Sequence, residues 1–168
     1  MGKAAASYKA AFDRAPASPL ALLLAQAWVA NTEAPKALAM LQGWSAKQPR
    51  DGIVLRALAE LQLLQNQPDA ARRSYDTLLK LDPEDPAALA GYADVLARLN
   101  DPGALAMAEK AHRLAPQNAL LAAGYGRMLV DRGDAEAGVR ILREARLREP
   151  SNGRVRWMLA SGLAKVGR

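Results

Sequence analysis

Few residues in this chain have the types and spacing that catalysis requires. The sequence contains one histidine, His112, and no cysteine. A histidine-dependent nucleophile or a multi-histidine metal site needs partner residues, and no serine or carboxylate stands at a suitable spacing. No glycine-rich loop follows a strand-like segment, so a phosphate-binding loop is not indicated either. The acidic stretch Asp82, Glu84 and Asp85 lacks the ligand spacing of a calcium loop. We therefore expect no enzymatic activity, no metal site and no cofactor.

Basic residues are the second group with a possible function, which is to bind negatively charged molecules. Residues 1–136 hold 15 basic and 15 acidic side chains, whereas residues 137–168 hold eight basic and two acidic ones. The net charge of +6 therefore lies at one end. It could attract an acidic partner, anionic lipid headgroups or a charged polysaccharide, or it could be a solvated arginine-rich face without a ligand. Nucleic acid is not expected, because no aromatic residues are interleaved with the basic ones.

The elements that must position these side chains are indicated by regularly spaced prolines. Five of them stand 33, 34, 33 and 34 residues apart, at Pro16, Pro49, Pro83, Pro116 and Pro150. Each ends a stretch rich in alanine and leucine, because proline cannot continue a helix. A period near 34 predicts stacked helix hairpins, and hence an all-α solenoid.

Local signals agree with this map. Ser18, Asp85 and Asp101 each precede a proline, which predicts N-caps at three helix starts. Gly126 and Gly138 stand inside helical stretches, where glycine costs about 1 kcal/mol relative to alanine. We expect the two helices to approach closely at these glycines.

The repeat pattern resembles the tetratricopeptide repeat. Residues 86–116 supply Leu89, Tyr92, Ala93 and Leu96 to the first helix of that pattern, and Ala104, Ala111 and Pro116 to the second. The resemblance implies a single array that forms a right-handed superhelix of about ten helices. Its predicted segments are a second helix at 3–16, full repeats at 18–49, 52–83, 86–116 and 119–150, and a first helix at 153–168.

The family usually holds a peptide or a partner helix in a concave groove lined by the first helices. The resemblance therefore implies a scaffold that binds a partner protein or peptide. Carried onto this chain, the principal groove residues are Arg56, Glu60, Leu63, Leu64, Asp94, Arg98, Arg127, Val130, Asp131, Arg154 and Trp157. Apolar residues beside charges suit a ligand with aliphatic anchors and carboxylates. The chaperone-tail clamp of the family is disfavoured, because Glu60 and Gly91 stand where it has asparagines.

A narrower resemblance concerns residues 101–111, 114–116, 142–145 and 156–160. The run from Asp101 to Ala111, and later Arg156-Trp157-Met158-Leu159-Ala160, look like the arrays of bacterial tetratricopeptide lipoproteins linked to exosortase and PEP-CTERM sorting. Tyr125-Gly126 departs from their glycine-tryptophan pattern. This resemblance implies a role in exopolysaccharide production or protein sorting, and a location in the bacterial envelope or periplasm. The alternative is a cytoplasmic adaptor.

The ends of the chain fit half-repeats, which predicts a fragment of a longer protein. The longest apolar run, Leu20 to Ala25, is too short to span a bilayer, so no membrane insertion is expected. In the final helix, Leu159 and Leu163 are expected to lack a partner within the chain. A self-associating structural array, with homodimers formed through its terminal helices, is therefore the second hypothesis.

Overall fold

The computed structural model describes residues 2–167, and over these residues the chain forms ten α-helices and no strand. The helices are α1 Lys3–Arg14, α2 Ser18–Ala30, α3 Ala34–Lys47, α4 Gly52–Leu64, α5 Pro68–Leu81, α6 Pro86–Arg98, α7 Ala104–Leu114, α8 Ala119–Asp131, α9 Ala135–Arg148 and α10 Gly153–Lys165. Met1, which precedes the predicted segment 3–16, and Arg168, the last residue of the predicted segment 153–168, lie outside the described residues. The predicted all-α fold is confirmed.

The helices divide between two compact units. The first unit, within residues 1–83, contains α1 to α5, and the second, within residues 84–168, contains α6 to α10. In each unit, helices joined by short turns pack together as hairpins, α2 with α3 and α4 with α5, then α6 with α7 and α8 with α9. Trp28, Leu41 and Leu58 lie in the core of the first unit, and Leu142 and Val155 in that of the second.

The four hairpins turn in the same way. The residue at the turn has a positive φ in each, at Thr32, Asn66, Asn100 and Gly133. The next residue donates its backbone N–H to a carbonyl five positions earlier, as from Asp134 to Leu129 at 3.0 Å. This is the Schellman arrangement, which satisfies carbonyls left open at a helix end and directs the chain back along the first helix.

Two helices of the second unit meet at a pair of glycines. A methyl group on Gly138 would lie 2.5 Å from the carbonyl oxygen of Gly126, and one on Gly126 would lie 2.9 Å from that of Gly138. Real side chains do not tolerate such distances, so both positions require glycine. The predicted close approach of α8 and α9 is confirmed.

The three predicted N-caps have different outcomes. Asp85 accepts hydrogen bonds from the backbone N–H groups of Ala87 and Ala88 and caps α6, as predicted. The prediction for Ser18 is wrong, because α2 begins at Ser18 itself and its hydroxyl donates to the Asp51 carboxylate. The start predicted at Asp101 is displaced, since α7 begins at Ala104 and the Asp101 carboxylate accepts from the N–H of Gly103.

The last helix also differs from expectation. Leu159 and Leu163 are partly buried against the core of the second unit, beside Leu142 and Met158. The expectation that they lack a partner within the chain is therefore wrong. The reason is that α10 packs on both α8 and α9, which partly cover Leu159 and Leu163 within the chain itself.

Candidate partner-binding faces

The predicted groove residues lie on the first helices of the hairpins and on α10. In the first unit α2 contacts α4, and in the second unit α6 contacts α8, which contacts α10. We call the surface on α2 and α4 the first-helix face of the first unit. The surface on α6, α8 and α10 is the first-helix face of the second unit.

A cluster of ion pairs joins α6, α8 and α10 on the first-helix face of the second unit. The Arg127 guanidinium on α8 donates to the carboxylate of Asp94 on α6 at 2.7 Å and to that of Asp131 at 3.0 Å. Lys165 on α10 also donates to Asp131. Arg154 of α10 lies 3.8 Å from Asp94. Four predicted groove residues and Lys165, which the prediction omits, therefore form one cluster.

The cations of this cluster are differently exposed. The Arg127 side chain is 23% exposed, and its two terminal nitrogens each hold a carboxylate. The Arg154 side chain is 61% exposed, and 3.8 Å exceeds the length of a hydrogen bond. Arg127 is thus positioned to stabilise the face, whereas Arg154 presents its guanidinium toward solvent.

Trp157 lies on the same side of α10 as Arg154 and Lys165, since residues three, eight and eleven positions apart share a helix face. It is 63% exposed. Arg98 is exposed at the end of α6. Val130, by contrast, is buried, because Gly138 provides the space that its side chain fills. Val130 therefore belongs to the core and offers no side chain to a ligand.

The first-helix face of the first unit is more apolar. Leu64, at the end of α4, is 71% exposed, and Ile53 at its start is exposed as well. Glu60 is exposed between them, while Arg56 and Leu63 are half-buried. This face combines aliphatic side chains with a few charges.

One polar centre of the first unit was missed by sequence reasoning. Asp51 accepts hydrogen bonds from the Ser18 hydroxyl, from the Trp44 indole Nε1 at 2.7 Å and from the backbone N–H of Val54. Burial acts to raise the pKa of the Asp51 carboxyl, but these hydrogen bonds outweigh it and lower the pKa below its ordinary value. Asp51 therefore joins the starts of α2 and α4 to the end of α3.

A sequence signal could have found these contacts. Ser18 and Asp51 are 33 residues apart, as are Asp94 and Arg127, and Asp131 and Lys165 are 34 apart. Each pair is separated by about one repeat, which brings equivalent positions of neighbouring helices together. Complementary side chains one period apart are thus candidate contacts.

The single histidine packs against an aromatic ring. The His112 imidazole on α7 stacks on Tyr125 of α8, with ring centroids 5.7 Å apart. Burial lowers the pKa of His112, and the Arg148 guanidinium lowers it further against the opposing Glu144 carboxylate. Its Nδ1 is buried without a hydrogen-bond partner in the described chain. This environment favours the neutral imidazole.

The structure also bears on membrane and metal sites. Within residues 2–167, no helix has both the length and the apolar character that crossing a bilayer demands. In the same part of the chain, no three acidic, histidine or cysteine side chains come together as metal ligands would.

Comparison with known proteins identifies the fold. Residues 53–95 match the tetratricopeptide repeat family, while no curated protein matches the chain significantly. A thermophilic tetratricopeptide repeat protein from Thermus thermophilus superimposes with a TM-score of 0.81 at 16% identity, over 95% of this chain and 89% of that one. One from Parabacteroides merdae gives 0.78 at 20% identity, over 97% and 66%. YrrB, a tetratricopeptide repeat protein with an unusual peptide-binding site, gives 0.67 at 14% identity, over 98% and 86%. The chain thus has the fold of a tetratricopeptide repeat protein, with a family match in its central part.

Proposed function

We propose that this chain is a non-enzymatic scaffold whose first-helix faces bind an extended segment of a partner protein. The observation that carries the proposal is the 63% exposed Trp157 beside the ion-pair cluster of the second unit. Tryptophan and arginine are enriched among the residues that dominate binding energies, since they combine a large contact area with directional hydrogen bonds. The cluster holds α6, α8 and α10 together beneath such a ligand.

The first unit supports the same proposal with a different chemistry. Leu64 and Ile53 expose aliphatic surface on one helix, next to the charged Glu60. Exposed aliphatic residues near fixed charges suit a peptide that carries both apolar and polar side chains. The peptide-binding site named for YrrB is consistent with this use of the fold.

The test is capture of partners by the full chain from a native lysate separated into envelope and cytosolic fractions, followed by crosslinking and mass spectrometry. We expect Trp157→Ala to reduce capture at least about tenfold, the loss typical of a dominant contact. Leu147→Ala is the matched control, because Leu147 is 77% exposed but lies on the second helix α9. Equal losses from both variants, at unchanged helicity, would exclude the first-helix face.

The same capture experiment addresses the cellular system. The resemblance of residues 101–111, 114–116, 142–145 and 156–160 to envelope lipoproteins supports a partner from exopolysaccharide production or protein sorting. Such partners, enriched from the envelope fraction and lost with Trp157→Ala, are the expected result. Trp157-dependent partners found only in the cytosolic fraction would instead assign the chain to a cytoplasmic adaptor.

A further inference from the structure

In the ion-pair cluster on the first-helix face of the second unit, cations outnumber carboxylates, and the cations differ in how closely they are bound. Three cations, Arg127, Arg154 and Lys165, face two carboxylates, Asp94 and Asp131. Both carboxylates accept hydrogen bonds from Arg127 or Lys165. The cluster therefore has a net positive charge and its acceptors are already occupied, which disfavours a cationic ligand.

Arg154 provides the donors for a ligand of the opposite charge. Its contact with Asp94 is an exposed ion pair at 3.8 Å, and such pairs contribute little because solvent screens them. A guanidinium presents a planar fork of donors that matches a carboxylate in a bidentate geometry. An incoming carboxylate can thus replace a weak contact without breaking the hydrogen bonds of Arg127.

The surroundings of Arg154 define the rest of the ligand. The groove positions of α6 and α8 in the same register are held by Ala87, Ala90, Leu120 and Ala123, none of which has a side-chain donor. A chain-terminal carboxylate clamp of the kind that uses asparagine amides is therefore not formed there. Trp157 follows one helical turn after Arg154 and offers an indole ring for an apolar side chain.

We propose that Arg154 and Trp157 form a subsite for an acidic side chain and an adjacent apolar side chain of an extended peptide. This inference rests on the proposed function and specifies its ligand. Arg154 binds the aspartate or glutamate carboxylate, and Trp157 contacts the neighbouring apolar residue. Arg127 is a positioning residue, because its hydrogen bond holds the Asp94 carboxylate of α6 against α8.

The experiment is selection of short random peptides on the immobilised full chain, displayed with their carboxyl ends joined to the carrier so that only side chains supply carboxylates. We expect the selected peptides to share an acidic residue beside an apolar one. Their affinity should fall at least about tenfold with Arg154→Gln, the size of a lost charged hydrogen bond, and by less with Arg154→Lys. Arg143→Gln, which removes an exposed charge from α9, should leave affinity unchanged.

Tryptophan fluorescence locates the bound peptide. Trp28 and Trp44 both lie in the first unit, so a change of emission that disappears with Trp157→Phe places the peptide at the second unit. Selected peptides that are neutral or basic, or that bind Arg154→Gln as tightly as the original chain, would overturn the subsite while leaving the binding scaffold intact. Failure to select any peptide would count against the scaffold itself and, with it, the subsite.

Discussion

At the scale of single residues, the glycines of the α8–α9 hairpin show that identical residues in one hairpin have opposite roles. A methyl group on Gly124 would meet nothing within 4 Å, whereas one on Gly138 would overlap the carbonyl oxygen of Gly126 and the side chain of Val130. Gly124 therefore lowers the stability of its helix without allowing any closer packing. Gly138 offsets that cost, because it lets two backbones and a valine pack closely.

The two positions predict opposite effects of alanine. Gly138→Ala should lower the free energy of unfolding by about 1 to 3 kcal/mol, because the obstructing backbone atoms move only if the helices separate. Gly124→Ala should raise it by up to about 1 kcal/mol through helix propensity. Urea unfolding followed by circular dichroism measures both changes. A stabilising Gly138→Ala would show that the hairpin adjusts without cost.

At the scale of elements, Asp51 acts as a joint of the first unit. It caps α4 through Val54 and also holds Ser18 of α2 and Trp44 of α3. An ordinary cap, such as Asn118 on α8, accepts only from backbone N–H groups of its own helix. The difference between the stabilising free energies of Asp51 and Asn118 therefore measures the contribution of contacts between helices.

Removal of the Asp51 carboxylate tests this joint. Asp51→Ala should lower the free energy of unfolding by about 2 to 4 kcal/mol, since a cap and two charge-assisted hydrogen bonds are lost. Asn118→Ala, the control, should cost about 1 kcal/mol. Because the folded-state pKa of Asp51 is lowered, its stabilisation is present above the ordinary pKa and is lost as the pH falls below about 4. Equal costs for the two variants at neutral pH would contradict the role of Asp51 as a joint.

Sequence reasoning succeeded where one local rule decides the outcome. The glycine pair and the Asp85 cap follow from helix propensity and capping preference, and both are observed. Ser18 satisfies the same capping rule, yet its hydroxyl bonds to Asp51, a residue 33 positions away. Val130 occupies a groove position in the repeat pattern, but the space left by Gly138 draws it into the core. Tertiary contacts override local preference at both positions.

At the scale of the whole molecule, the basic excess of residues 137–168 is partly compensated by the fold. Lys165 donates to Asp131 of α8, Arg154 faces Asp94 of α6, and Arg140 pairs with Glu144 within α9. The compensating carboxylates of Lys165 and Arg154 precede residue 137 in the chain. The basic excess seen in the sequence is therefore partly balanced by carboxylates in the folded chain. Within the ion-pair cluster, the contact of Arg154 with Asp94, at 3.8 Å, is longer than a hydrogen bond.

The stacked pair His112 and Tyr125 makes the stability of the molecule depend on pH. Burial, aided by Arg148, lowers the pKa of His112, so its contribution to stability is present above about 6.5 and is lost as the pH falls. Burial, with the Glu109 and Asp134 carboxylates, raises the pKa of Tyr125. Its contribution is present below about 10 and is lost as the pH rises.

The contribution of this pair to stability should therefore fall below about pH 6.5 and above about pH 10. His112→Phe keeps a ring on Tyr125 but cannot titrate, so thermal unfolding should become less dependent on pH as the pH falls below about 6.5. Tyr125→Phe should flatten only the alkaline side. Since His112 is the only histidine of the chain, no other histidine can produce the acid effect. A His112→Phe curve that runs parallel to that of the unmodified chain would mean that the imidazole titrates equally in the folded and unfolded states, and that its stack on Tyr125 does not discriminate between its two charge forms.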